Sequence, residues 1–258
     1  MDLDLKGKTA LVTGGSRGIG LSTVRALVAE GARVVTCART PSPELRAVDA
    51  TFVAADLATP GGVRAAVDTA LGTLGDLDIL VNNAGGGDPA TQAGPFADLT
   101  DTAWDEAFDL NFRAAQRAIK HALPSLLRRR GTIVNVASVG AVRPGADLHA
   151  YNAAKAALIT LSRGLAEELG PKGVRVTTVS PGPTLTRAYQ SRAARRAEQS
   201  GASQGTALAE AARAGRMTLG RLVDPDEVAV QIVLAASPKG HGLLGANIRV
   251  DGGSTKSV

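Results

Sequence analysis

Residues 9–20 read Thr9-Ala10-Leu11-Val12-Thr13-Gly14-Gly15-Ser16-Arg17-Gly18-Ile19-Gly20, and a run of helical periodicity follows from Leu21 to Gly31. The first five residues are apolar or β-branched, a composition that favours a buried strand. Glycines at the spacing Gly14-x-x-x-Gly18-x-Gly20 then let the backbone turn tightly and bring free N–H groups at a helix start close to an anion. A glycine-rich turn alone says little. Set between a strand and a helix it predicts a phosphate-binding loop, although its spacing differs from the Gly-x-Gly-x-x-Gly of ordinary dinucleotide folds.

The same alternation continues outward along the chain. Strand-like runs occupy Thr9–Thr13, Arg33–Cys37, Thr51–Ala55, Ile79–Asn82, Thr132–Ala137, Arg175–Ser180 and Asn247–Val250, separated by segments of helix length. Strands so separated cannot form hairpins, so they pair in parallel through crossovers. The expectation is an α/β fold, a doubly wound seven-stranded parallel sheet with helices on both faces, in one domain spanning residues 1–258. The 258 residues, 44% of them hydrophobic and 21% charged, suffice for one core, and no linker, repeat or low-complexity tract divides them. The Ala/Arg-rich stretch between Pro183 and Arg221 departs from the alternation. It is expected to form a helical substrate lid, because it starts beside the carboxyl end of the sixth strand, where ligands bind in such sheets.

Composition narrows the function. A net charge of +5 raises a nucleic-acid reading. Aromatics are only 3% of the chain, too few for stacking platforms, and the basic residues are scattered apart from Arg128-Arg129-Arg130 and the group Arg192, Arg195, Arg196, so that reading is set aside. No apolar run approaches the roughly 18–20 residues of a membrane span. Met1 to Thr13 alternates acidic, apolar and basic residues without a signal-peptide core, which predicts a cytoplasmic location. The single cysteine, Cys37, lies in a strand run and is expected to be a buried, inert thiol, and one cysteine excludes an internal disulfide or cysteine-rich metal site.

At the end of the second strand, NAD-binding folds place an acidic residue on the adenosine ribose, whereas here Cys37-Ala38-Arg39-Thr40 puts Arg39 there. A guanidinium pairs with the 2′-phosphate that a carboxylate would repel, and Arg17 in the glycine loop reaches it from the other side. NADPH is therefore predicted over NADH. Asp56, just past the third strand, is either an adenine contact or a cap for the helix that follows.

Tyr151 and Lys155 are four apart in a strong helix sequence, so both project from one face. A free phenol, with a pKa of about 10, is a poor base near neutrality, and a cation beside it is expected to lower that value. Such a Tyr can give a proton to a carbonyl oxygen or take one from an alcohol as hydride moves at carbon. Ser138, where the fifth strand ends, can hydrogen-bond the same oxygen as charge develops on it.

Together with the glycine loop, these residues resemble the short-chain dehydrogenase/reductase family over nearly the whole chain. The landmarks stand in order: Thr13 to Gly20, Asn82-Asn83-Ala84-Gly85, Asn111, Ser138 with Tyr151 and Lys155, Ser180-Pro181-Gly182, and Val250-Asp251-Gly252-Gly253. The resemblance implies a Rossmann-type fold with Tyr151 as acid/base, Lys155 also on the nicotinamide ribose, Ser138 orienting the substrate and Asn111 holding a water of the proton relay. It implies cofactor contacts from Gly14, Ser16, Arg17, Gly18, Ile19 and Gly20, from Arg39, Asp56 and Leu57, and from Asn83, Ala84 and Gly85. Pro181 and Gly182 would seat the nicotinamide and Thr184 would contact its carboxamide. A homotetramer is the assembly the resemblance implies, with the Tyr151 helix and the last strand as interfaces.

Arg143, Leu148 and His149, between Ser138 and Tyr151, are expected to border the reacting carbon, with Gly85-Gly86-Gly87-Asp88-Pro89 as another rim and Tyr189 reaching in from the lid. His149 reads as wall and not catalyst, since Tyr151 fills that role and no metal-ligand spacing surrounds it. Trp104 reads as ordinary helix packing. The leading function is NADPH-dependent reduction of a small-molecule ketone to a secondary alcohol. A narrower reading is reduction of 3-oxoacyl groups on an acyl carrier protein, which Arg128-Arg129-Arg130 and Lys172 would dock. The segment Val35 to Arg39 is instead similar to tropinone-type and other small-ketone reductases. A reading of another class is a catalytically silent NADP(H) sensor or scaffold, which has no chemical need of all four catalytic residues.

Overall fold

In a computed structural model describing residues 2–86 and 93–256, seven parallel strands form one sheet in the order β3-β2-β1-β4-β5-β6-β7. They are β1 (Thr9–Thr13), β2 (Arg33–Ala38), β3 (Thr51–Ala54), β4 (Ile79–Asn82), β5 (Thr132–Val136), β6 (Arg175–Pro181) and β7 (Asn247–Val250). All seven anticipated strands are present, and their ends shift by one residue at most: β2 gains Ala38, β6 gains Pro181, and β3 and β5 each lose their last.

Between them lie helices α1 (Gly18–Ala29), α2 (Pro43–Arg46), α3 (Pro60–Leu74), α4 (Asp101–Phe108), α5 (Ala114–Arg129), α6 (His149–Leu169), α7 (Arg187–Ser200), α8 (Gln204–Ala214) and α9 (Pro225–Ala236). Strand side chains alternate between two faces, and the sequence supplies apolar groups for both. Ala10, Val12, Ile79, Val81, Val134 and Val136 meet α1 and α9, while Leu11, Leu80, Ile133 and Val176 meet α3, α5 and the end of α6.

Capping residues set several helix starts. Thr59 accepts from the Gly62 N–H ahead of α3, and Asp224 with Glu227 forms a capping box on α9. The strand order reverses beside β1, because the chain runs outward through β2 to β3 and then returns to place β4 on the other side of β1. The carboxyl ends of β1 and β4 therefore border a crevice, the place where open α/β sheets bind ligands. The stretch after β6 forms a helical hairpin, α7 and α8, whose base is closed by a bridge between Thr184 and Val223.

Candidate active site

The glycine loop is shaped by close backbone approach. Gly14 has φ +71°, and a Cβ there would stand 3.0 Å from Ala84 Cα; a Cβ on Gly20 would run into the Gly14 carbonyl and Asn83 Nδ2. Asn83 Nδ2 donates to the carbonyls of Thr13 (2.9 Å) and Gly14 (3.2 Å), and Thr13 Oγ1 accepts the N–H groups of Asn83 and Ala84, both at 3.0 Å. The loops after β1 and β4 are thus stitched into one floor. Ser16 Oγ donates to the Thr40 carbonyl (2.7 Å), tying the glycine loop to the turn that carries Arg39.

Helix α1 starts with no side-chain cap and no acidic residue in its first turn, so its N–H groups are left to an anionic ligand. The side chains of Arg17 and Arg39 are exposed and have no ion-pair or hydrogen-bond partner among the described residues. Ile19 packs against the core beside the loop. These features fit a dinucleotide diphosphate.

One expectation about the cofactor cleft is corrected, at Thr184. Asp56 Oδ1 accepts the Ala58 N–H (3.1 Å) in its own turn while the residue stays exposed, and Leu57 packs its side chain into the core. Thr184 is 4% exposed and donates Oγ1 to the Gly182 carbonyl at 2.8 Å. Thr186 is the threonine at the loop: a Cβ on Gly18, whose φ is +55°, would stand 3.2 Å from its Cγ2. It precedes α7 with no side-chain capping bond, so its hydroxyl is uncommitted there. A Thr directly before a helix was the available signal. Pro181 and Gly182 close β6, where a Cβ on Gly182 would stand 2.8 Å from Asp251 Cα.

The catalytic candidates come from three irregular segments. Ser138 leaves β5, accepts the Gly140 N–H (3.1 Å) and acts on the Tyr151 phenol, lowering its pKa. Helix α6 begins after Leu148, a leucine held at φ +55°, where an L side chain costs roughly 1–2 kcal/mol. Its carbonyl accepts the Asn152 N–H (2.9 Å), and the first two turns carry Tyr151 and Lys155. Asn111 sits in a π-helical turn at Asp109–Arg113 between α4 and α5. It donates to the Gly86 and Ala107 carbonyls and accepts the Gly86 N–H, each at 2.9 Å. A Cβ on Gly85 would stand 2.8 Å from both Asn111 Oδ1 and Lys155 Nζ, so these two side chains approach the same glycine.

Electrostatics correct one expectation. Lys155 is 2% exposed, donates Nζ to the Val136 carbonyl (2.8 Å) and lies 5.9 Å from the Tyr151 ring centroid. Burial lowers its pKa from 10.5 to about 8. Burial also raises the Tyr151 phenol above its ordinary value; the Ser138 hydrogen bond pulls it back and the Tyr189 phenol adds to the rise. Lys155 therefore does not bring the phenol toward neutrality here, because desolvation dominates both groups. Cys37 is fully buried, which pushes its thiol to about 12 and makes it inert.

Around this centre, the Arg143 guanidinium is oriented by two carbonyls, donating to Ser254 (2.7 Å) and Gly215 (3.0 Å). His149 meets Phe96 edge to face at 6.1 Å, and Phe96 is 67% exposed. Phe96, an apolar residue after a proline in a loop, was missed in the sequence. Trp104 bridges Phe96 and Phe108 in an aromatic ladder that Phe112 extends. Tyr189 on α7 is half-buried, with the Arg192 guanidinium 4.4 Å above its ring. Gly87, Asp88 and Pro89 lie outside the described residues.

Sheet, crevice, glycine loop and Ser138–Tyr151–Lys155–Asn111 cluster define a dinucleotide-binding oxidoreductase. Residues 14–255 match the family model described as Enoyl-(Acyl carrier protein) reductase. The chain is 35% identical to the L-xylulose reductase of Bos taurus, with 98% of each covered. It is also 35% identical to a 3-alpha-(or 20-beta)-hydroxysteroid dehydrogenase of Mycobacterium tuberculosis, over 98% of this chain and 92% of that one. Among solved structures, the L-sorbose reductase of Gluconobacter frateurii complexed with NADPH and L-sorbose superposes with a TM-score of 0.93 and 32% identity, over 100% of both chains. The chain belongs to the short-chain dehydrogenase/reductase family of oxidoreductases.

Proposed function

We propose that the protein is an NADPH-dependent reductase of a small-molecule ketone, working reversibly between carbonyl and secondary alcohol. The observation that carries this reading is the buried Lys155, held on the Val136 carbonyl 5.9 Å from the Tyr151 ring, with Asn111 reaching the same glycine. Held by the glycine loop, Arg17 and Arg39, NADPH would supply the hydride for the carbonyl carbon. Ser138 and Tyr151 hold the carbonyl oxygen, and Tyr151 Oη transfers its proton to that oxygen as charge develops there. Lys155, with a pKa near 8, and the Asn111 amide lead from Tyr151 toward Gly86 and form the path by which the phenol regains a proton. Burial holds the phenol neutral before the reaction, so the group that starts a reduction is the acid form. Arg17 and Arg39, free of carboxylates, support NADPH over NADH, as does the NADPH in the L-sorbose reductase complex.

The small-molecule reading is favoured over an acyl carrier protein because three of the four cations offered for docking are already paired: Arg128 with Asp76 (2.6 Å), Arg129 with Asp78 (3.0 Å) and Lys172 with Glu168 (3.3 Å). The α7–α8 hairpin, which follows the carboxyl end of β6 and carries the half-buried Tyr189, supports a substrate lid at residues 183–221. A cytoplasmic homotetramer is part of the same reading.

The test follows NADPH absorbance against ketose sugars, steroidal ketones and an acetoacetyl thioester. Tyr151→Phe is expected to lower kcat about 10²- to 10⁴-fold on the accepted carbonyl while leaving dinucleotide binding in place. Binding of NADPH with no turnover of any carbonyl, or of any alcohol in reverse, would replace the reductase by the sensor.

A further inference from the structure

A cavity of about 340 Å³ is lined by Arg143, Arg216, Ser254 and Lys256. That volume is at the small end of sites that hold metabolite-sized ligands. Three of the four lining residues are cations and none is a carboxylate. Arg216 and Lys256 have no ion-pair or hydrogen-bond partner for their side chains among the described residues. Arg143 is oriented by two backbone carbonyls, Ser254 and Gly215, which hold two of its five N–H donors and leave three.

The neighbouring acid is committed elsewhere. Asp251 accepts the N–H groups of Gly253 (3.1 Å) and Thr255 (2.9 Å) and the Ser254 hydroxyl (3.2 Å). Arg216 is held at φ +54° with its N–H on the Arg213 carbonyl at 2.8 Å. An arginine in the left-handed region, where glycine is the cheaper residue, is strain kept at a site and not relieved.

The cavity's place ties it to the reaction. Arg143 lies one hydrogen-bonded turn beyond the Ser138 cap, its N–H on the Val139 carbonyl at 2.8 Å. The other walls are the end of the lid hairpin and the segment after β7, both at the carboxyl edge of the sheet. We propose that this cavity receives the anionic end, a carboxylate or phosphate group, of the carbonyl compound reduced at Tyr151. The assignment rests on the reductase reading and narrows its substrate to a charged ketone.

The experiment compares matched pairs of ketones, a keto acid with its ester and a keto sugar with its phosphate, in wild type, Arg216→Gly and Lys256→Gln. Arg216→Gly removes the charge and relieves the backbone, so loss of folding cannot imitate loss of binding. The expected result is an anionic-to-neutral ratio of kcat/KM above one that falls at least about tenfold in each variant. Lys120→Gln, which removes a charge on α5 outside the cavity, leaves that ratio in place. In parallel, with the dinucleotide site filled by saturating NADP, inorganic phosphate at constant ionic strength is expected to raise the Tm of the wild type and not of the two variants. Ketone reduction without preference for the anion overturns the substrate assignment. A missing phosphate shift overturns the anion site itself. Phosphate binding lost in the variants, with no carbonyl reduced at all, overturns the reductase reading and keeps the site.

Discussion

The glycine loop and the α7–α8 hairpin both stand at the carboxyl end of the sheet, yet they are held by opposite means. The loop is locked by backbone meeting backbone: Gly14 against Ala84, Gly20 against Gly14, and Asn83 bridging two carbonyls. The hairpin presents arginines to solvent and is tied by surface pairs such as Arg187–Glu44 (2.7 Å) and Arg196–Glu210 (3.1 Å). Close backbone contact leaves no room for change, whereas exposed side-chain pairs contribute little energy and rearrange freely. The difference suits a fixed diphosphate on one side and a substrate that must enter and leave on the other.

The largest expected effect is in the loop. Gly20→Ala should destabilise by 3 kcal/mol or more and abolish dinucleotide binding, although alanine is about 1 kcal/mol the better helix former, because its methyl meets backbone that cannot yield. A melt and a binding titration test it, and a stable binding variant would break the contrast.

Between loop and lid stands Lys155. With a folded pKa near 8 against 10.5 unfolded, this group binds fewer protons folded than unfolded across that window. Its contribution to stability is complete above pH 10.5 and is lost as pH falls toward 8, a swing of about 3 kcal/mol. The raised Tyr151 acts in the opposite sense above pH 10. Urea denaturation from pH 8 to 10 should therefore show a rise in stability that Lys155→Met removes.

A smaller effect belongs to Arg39, whose guanidinium is exposed and unpaired. Arg39→Ser should shrink the NADPH-to-NADH preference in kcat/KM about tenfold. Smallest of all, Arg196→Ala on α7 should cost under about 1 kcal/mol and shift Tm by less than about 4 °C. A larger loss would show the hairpin to be as firmly built as the loop.

What the chain's own order of residues determined is what neighbours in sequence determine. Short apolar and β-branched runs marked all seven strands, helix-length spacers made them parallel, glycine spacing marked the phosphate loop, and four-residue spacing put Tyr151 and Lys155 on one face. Each follows from local sterics and periodicity. The rest was decided by groups far apart in the chain. Arg143 finds carbonyls at Ser254 and Gly215, Thr186 rather than Thr184 meets Gly18, and Asn111 in its π turn reaches Gly85 beside Lys155. The pKa of Tyr151 belongs here too: its four-residue spacing from Lys155 announced a cation nearby, but burial sets the sign, and burial exists only once the tertiary structure has closed around the pair.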